Sequence, residues 1–324
     1  MSTIKIAIVT ASDSRYFPLL KGLVQSMIDG LTELQKQSSK LPVISAFPFT
    51  VVNWQFNMTV LNGGLEEHEV QWLVTRGVNL KAIEYHTLDY GGRERPSDHM
   101  AGFVERHALP KHVPGYNLYL WIDADAWVQD FNSGVMPYIL LAARGHLAIV
   151  PEVDRQIAFS AHHRNITKAW ALGNYEKFFS KEIALTYSEL PMFNNGVFAA
   201  SATNPVWDLW ASSIQFALDK NDGKPEFGID QISLNFVIYS AKEVRTYPLP
   251  LLCNWMVPHS FPLIDNDTGK LVGSLWPHTV IGVVHLLDNT KWNRVGIQRI
   301  NRNDLSIVSG DSVHLEYGWM KKGK

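Results

Sequence analysis

The chain has 324 residues, 46% hydrophobic and 19% charged, with a formal net charge of -2. That length can bury a large core as one large domain or two small ones, and the composition excludes long disordered regions. A near-neutral balance lacks the basic footprint of a duplex-DNA binder, so no nucleic-acid partner is expected. Cys253 is the sole cysteine. It excludes an internal disulfide and a thiolate zinc cluster, and it suits a reducing compartment. The first residues enter a strand pattern with no charged leader or cleavage site. No apolar run approaches the roughly 20 residues of a membrane span. A cytoplasmic protein is expected, with at most peripheral contact at the inner face of a membrane through the tail "WMKKGK" at 319–324.

In chain order, "IKIAIVT" at 4–10 reads as a buried strand, followed after Pro18 by a helix to about residue 37. The amphipathic segment 65–75 is a helix stopped by Gly77, and "LKAIEYH" from residue 80 is again a strand. Ser97 is expected to cap a helix running to about residue 107, and 116–122 is an almost entirely apolar strand. With a further strand between the first two helices, the order up to that strand is β, α, β, α, β, α, β, the pattern of a mostly parallel sheet flanked by helices. The second half has strand patterns at 147–150, 196–200, 244–248 and 280–287, and helical patterns at 164–179, 205–218 and 230–239. There is no internal repeat, low-complexity segment or long linker. A single domain with two lobes is the expectation.

The strand at 116–122 runs into two carboxylates, Asp123 and Asp125, before the chain turns apolar again. Ligands of such sheets sit at the carboxyl ends of strands. Two buried carboxylates spaced i, i+2 require a positive partner. Their oxygens suit Mg²⁺ or Mn²⁺, which complete their shell with phosphate oxygens, although a bare D-x-D also occurs as a cap or an ion-pair partner. No phosphate-binding "GxxxxGK[ST]" or dinucleotide "GxGxxG" is present. The histidines of "AHHRN" at 161–165 point apart on regular structure and read as a solvated face.

The segment "YLWIDADAWVQD" at 119–130 resembles the metal-binding D-x-D segment of nucleotide-sugar glycosyltransferases of the GT-A fold. The chain as a whole resembles their retaining family 8. "VTASDSRY" is similar to the D-x-x-Y after strand one of that family, which implies that Asp13 and Tyr16 meet the nucleotide base. "FNNGVFAAS" resembles F-N-x-G-V, making Asn194 a donor-sugar contact. "DQISLN" resembles D-Q-D-x-L-N, which implies that Asp230 binds sugar hydroxyls and Gln231 lies beneath the anomeric carbon. "HLLDNTKW" resembles H-x-x-G-x-x-K-P-W, giving His285 as third metal ligand and Lys291 as a diphosphate contact. Departures stand at Ile232 for the second acid, Asp288 for the glycine and Trp292 for the proline. A basic residue near the donor is expected before the D-x-D, with Arg93, Arg95 and Arg106 as candidates.

The resemblance implies a GT-A-like domain at 1–300, with a nucleotide-binding half at 1–130, an acceptor half at 131–300 and a C-terminal extension at 301–324. It implies transfer of a hexose from a UDP-linked sugar to a glycan or lipid-linked saccharide, with retention. Mn²⁺ or Mg²⁺ is the implied metal, and the histidine favours manganese. Trp54, Trp255, Trp276 and Trp292 are candidate sugar platforms, each competing with a core role. Three readings compete. A phosphatase would place its D-x-D at the first strand, and a nucleotidyltransferase would carry a Gly-rich basic loop there. A non-catalytic sugar binder would not need Asp123, Asp125, His285 and Lys291 together.

Overall fold

Alternation along the first strand fixes the two faces of the molecule. In β1 (Thr3–Ser12), Ile6 and Ile8 enter one core while Ala7 and Val9 enter the other. Leu20, Leu23 and Val24 of α1 (Phe17–Ser38) cover the first face. The computed structural model describes residues 3–38, 53–85, 88–90, 97–157, 161–257, 259–301 and 305–318. Arg93, Arg95 and the tail at 319–324 lie outside them.

Next come β2 (Asn53–Asn62), α2 (Glu67–Val74), β3 (Asn79–Ala82), α3 (Asp98–Val104), a 3-10 turn (Glu105–Ala108), α4 (Leu109–His112) and β4 (Leu118–Ile122). The helix expected at 65–75 is α2, and it opens with a capping box in which Glu66 N–H donates to the Glu69 carboxylate at 2.9 Å. The helix expected to run to residue 107 tightens into the 3-10 turn instead. The Ser97 side chain makes no cap hydrogen bond there.

The second half holds β5 (Ala126–Val128), α5 (Phe131–Gly134), α6 (Met136–Ala142), β6 (Leu147–Pro151), α7 (Ala161–Phe178), α8 (Lys181–Tyr187), β7 (Phe193–Ser201), α9 (Val206–Lys220), α10 (Ile229–Ser240) and β8 (Thr246–Pro248). Six short strands follow: β9 (Trp255–Met256), β10 (Leu263–Asp265), β11 (Leu271–Val272), β12 (Val283–His285), β13 (Val295–Ile300) and β14 (Ile307–Val313).

The central sheet has the order β3-β2-β1-β4-β7-β6-β8. Only β7 runs against its neighbours, pairing antiparallel with β4 and β6. The expected mostly parallel α/β domain is therefore present. Because β7 is reversed, its first residues arrive at the same sheet edge as the last residues of β1, β4 and β6. The strand order turns between β1 and β4, which opens a crevice at that edge.

A small sheet, β5-β12-β9, sits beside this edge and pairs His285 with Ala126. A second, β11-β10-β13-β14, brings residues 305–318 back onto the domain. There Trp127 Nε1 donates to Leu315 O at 2.7 Å, and the Tyr317 ring packs on Trp127. No helix of the described residues is long and apolar enough to cross a membrane.

Candidate active site

A cleft of about 580 Å³ opens at the carboxyl edge of β1 and β4. Asp13, Tyr16, Asp123, Asp125, Asn194, Asp230, Gln231, His285 and Lys291 all line it. Residues spread over most of the sequence are thus brought to one place.

The acidic pair is set by backbone pairing. Asp123 N–H donates to Gly196 O at 2.8 Å, and Ala126 N–H closes a turn on Asp123 O at 3.0 Å. Leu286 N–H then donates to Asp125 O at 3.0 Å, which draws the end of β12 against this turn. One oxygen from each aspartate and a ring nitrogen of His285 lie within 4.8 Å of one another. His285 is 1% exposed and Asp125 6%.

His285 Nδ1 shares a hydrogen bond of 2.9 Å with Asn254 Oδ1, so Nδ1 carries a proton. That Nε2 faces Asp125 Oδ1 at 3.3 Å and Asp123 Oδ2 at 3.8 Å. Both Nε2 and Asp125 Oδ1 are buried without a hydrogen-bond partner. With no proton on Nε2, two buried acceptors face each other there, and a cation between them would satisfy both. The donor set of two carboxylates and one imidazole fits a divalent ion.

Gly196 makes room for this arrangement. A Cβ there would lie 2.3 Å from His285 Cε1 and 2.8 Å from Asp123 Oδ2.

Two cations balance the carboxylates. Lys291 Nζ lies 2.8 Å from Asp125 Oδ2 and donates to the Tyr16 hydroxyl at 3.3 Å. Burial alone would raise the Asp125 carboxyl, but His285 and Lys291 outweigh it and hold it down at about 2. Burial opposes the Lys291 ammonium too, yet Asp125 and Tyr16 raise it well above its ordinary value. Arg106, on the 3-10 turn, reaches Asp123 Oδ1 at 2.9 Å, and its guanidinium lies over the Trp121 ring. Of the three basic candidates it is the one the described residues place in the cleft. Burial still raises the Asp123 carboxyl above its usual range, against the pull of Arg106.

The opposite wall is made of amides. Asn194 Nδ2 and Gln231 Nε2 both donate to Glu152 Oε1, at 2.9 and 3.1 Å. Asn195 Nδ2 donates to Asp230 Oδ2 at 2.7 Å, and Arg106 Nη1 is 3.7 Å from that oxygen. Asp230 sits in the first turn of α10, yet Gly228, at φ 87°, is the cap residue, so its carboxylate stays in the cleft. Asp13 Oδ1 accepts Tyr16 N–H at 2.9 Å, which ties the two residues together after β1.

The sequence departures have physical forms. Ile232 is fully buried in the second core, where a carboxylate would be stranded. Asp288 stands in for glycine while keeping a left-handed φ of 47°. Trp292 packs edge-on against Tyr16.

Of the four watched tryptophans, Trp255 is fully buried core and Trp54 packs partly buried against it, whereas Trp276 is exposed. Sequence reasoning missed Glu152, Asn195 and Asn254. Their signal is only polarity next to a strand end, which many loop residues share.

No family model matches the sequence, and no curated protein matches it. Among solved structures, apo WbbM, a bifunctional glycosyltransferase, is similar with a TM-score of 0.50 and 14% identity; the match covers 87% of this chain and 45% of WbbM. The galactosyltransferase LgtC, in complex with donor and acceptor sugar analogs, aligns with a TM-score of 0.45 and 15% identity over 88% of each chain. Mouse xyloside xylosyltransferase 1 aligns with a TM-score of 0.48 and 11% identity over 88% of this chain and 98% of its own. This chain spans less than half of WbbM, and the likeness to it shows the fold. That fold is the GT-A fold of glycosyltransferases.

Proposed function

We propose that this chain is a metal-dependent glycosyltransferase. It moves a hexose from a UDP-linked sugar to a hydroxyl of a glycan or lipid-linked saccharide, with retention of configuration, in the cytoplasm. The observation that carries the reading is the pair of buried, facing acceptors, Asp125 Oδ1 and His285 Nε2, beside Lys291 at the carboxyl edge of a GT-A sheet. The family 8 likeness of the motifs carries the retention and the UDP.

Asp123, Asp125 and His285 hold the divalent ion, and the imidazole favours Mn²⁺ over Mg²⁺. When bound, such an ion supplies Lewis-acid stabilisation of the leaving diphosphate. Lys291, whose ammonium is secured by Asp125, neutralises charge as it develops on the diphosphate. Tyr16 and Asp13 take the base, while Asn194 and Asp230 take sugar hydroxyls.

Gln231 lies beneath the anomeric carbon. An amide is a poor nucleophile, so no stable glycosyl-enzyme forms. As the anomeric C–O bond breaks, its electron pair goes to the diphosphate oxygen. The acceptor hydroxyl bonds to carbon on the same face, and its proton passes to that departing oxygen. Phe227, which lines the cleft and is 71% exposed, offers an apolar face for the acceptor ring.

The test is calorimetric titration of nucleoside diphosphates with and without Mn²⁺, into the wild type and Asp125→Ala. Metal-dependent UDP binding that the variant loses supports the reading, and donor sugars then follow. Failure of every nucleotide to bind under both conditions overturns it.

A further inference from the structure

A run of hydrogen bonds behind the acidic pair has a fixed direction. Asn254, which is fully buried and does not line the cleft, accepts His285 Nδ1–H at 2.9 Å and donates through Nδ2 to Asn194 Oδ1 at 2.9 Å. Asn194 Oδ1 also accepts Gly196 N–H at 3.0 Å, and Asn194 Nδ2 donates to Glu152 Oε1. A backbone N–H can only donate, and a carboxylate oxygen without a proton can only accept. Gly196 and Glu152 therefore turn the Asn194 amide the same way, with its carbonyl towards Asn254. Asn254 must then offer its NH₂ to Asn194 and its carbonyl to His285. That carbonyl can take only a proton from Nδ1, which in the neutral imidazole leaves the lone pair on Nε2, facing Asp125.

We propose that Asn254 fixes His285 in its Nδ1–H form, and that the chain Glu152–Asn194–Asn254 positions this metal ligand. The inference rests on the metal-centre reading of Asp123, Asp125 and His285. Asn254 is a positioning residue: it acts on the ion through His285 alone. Partners of this kind orient ligating histidines and typically alter metal affinity by about 10- to 100-fold. Gln231 shares the Glu152 oxygen, so the same chain ties the sugar wall of the cleft to the metal wall.

The experiment titrates Mn²⁺ into the wild type, Asn254→Leu, Glu152→Ala and Glu152→Gln. It also reads the His285 tautomer by ¹⁵N NMR in ion-free protein, at a pH where imidazole is neutral. Asn254→Leu is expected to weaken Mn²⁺ binding by about 10- to 100-fold and to populate both tautomers. Glu152→Ala is expected to weaken it less. Glu152→Gln should restore it, because a glutamine carbonyl still accepts from Asn194 and Gln231 although the charge is gone.

Wild-type affinity and a single tautomer in Asn254→Leu would overturn the proposal. So would Glu152→Gln binding as weakly as Glu152→Ala, which would assign the effect to charge. If Asn254→Leu does not fold, the two Glu152 variants and their spectra still decide. If the wild type takes up no Mn²⁺, the metal reading falls, and the tautomer comparison alone decides what Asn254 does.

Discussion

The two walls of the cleft are built from opposite chemistry. Along β5, β12 and the turn after it, formal charges touch: Asp125 meets Lys291, Asp123 meets Arg106, and His285 faces both aspartates. Along the start of β7 and α10, amides donate to carboxylates: Asn194 and Gln231 share Glu152, and Asn195 holds Asp230. A charged wall with low exposure strengthens every Coulomb interaction within it, which suits a diphosphate and its counter-ion. An amide wall selects by hydrogen-bond direction, which suits neutral hydroxyls and rejects analogues that lack them. One cleft thus sets ion pairs on one side against amide-held carboxylates on the other.

The division can be broken first at Asp125. Asp125→Ala is expected to lower metal-dependent transfer by about 10²–10³ or more and to abolish ion-dependent nucleotide binding. Nucleotide binding that survives unchanged would show that the charged wall does not hold the diphosphate. Lys291→Met should cost about 10² in kcat with a smaller change in KM, because its charge matters most as the leaving group departs. A change in KM alone would assign it to ground-state binding.

Gly196 lies where the walls meet, and there Gly196→Ala forces a Cβ against His285 and Asp123. The expected cost is about 1–3 kcal/mol of stability together with weakened ion binding, read by thermal unfolding and Mn²⁺ titration.

The smallest effect belongs to the amide wall. Burial raises the Glu152 carboxyl above its usual range, and the Asn194 and Gln231 amides only partly oppose it. A folded pKa above the unfolded one means the folded state holds the proton more tightly. That contribution is complete below the ordinary carboxylate range and is lost as pH rises through the folded pKa. The Tm of Glu152→Gln should therefore gain on the wild type as pH rises from that range towards neutrality. A flat difference would mean that Glu152 titrates as a free glutamate.

Much of the charged wall was legible because its signals are local. A fully apolar β4 followed by Asp123 and Asp125 marks a strand end, while His285 and Lys291 came from the motif resemblance of "HLLDNTKW". Their six-residue spacing works because the chain turns through a 3-10 segment, Asp288–Lys291, which returns the lysine to Asp125. The amide wall was only partly legible. Asn194, Asp230 and Gln231 came from motif resemblance, while Glu152 and Asn254 act through partners far away in sequence and carry no periodic pattern. Arg106 could not be separated from Arg93 and Arg95, because which side of a short helix faces a cleft depends on packing from other elements. β5 escaped notice because three residues show no alternation. Trp255 looked like a loop residue, but β9 pairs it with β12 in the core.

That pairing of β12 with β5 and β9 has a consequence for how the molecule holds together. The donors Asp123 and Asp125 belong to the first half of the chain and His285 to its last quarter, so an ion bound between them closes a very long loop. It would act as a removable cross-link, stabilising the docked end of the chain by mass action. Chelation should then speed amide hydrogen exchange in β9 and β12 before it does so in β1 and β4, which sit inside the seven-stranded sheet.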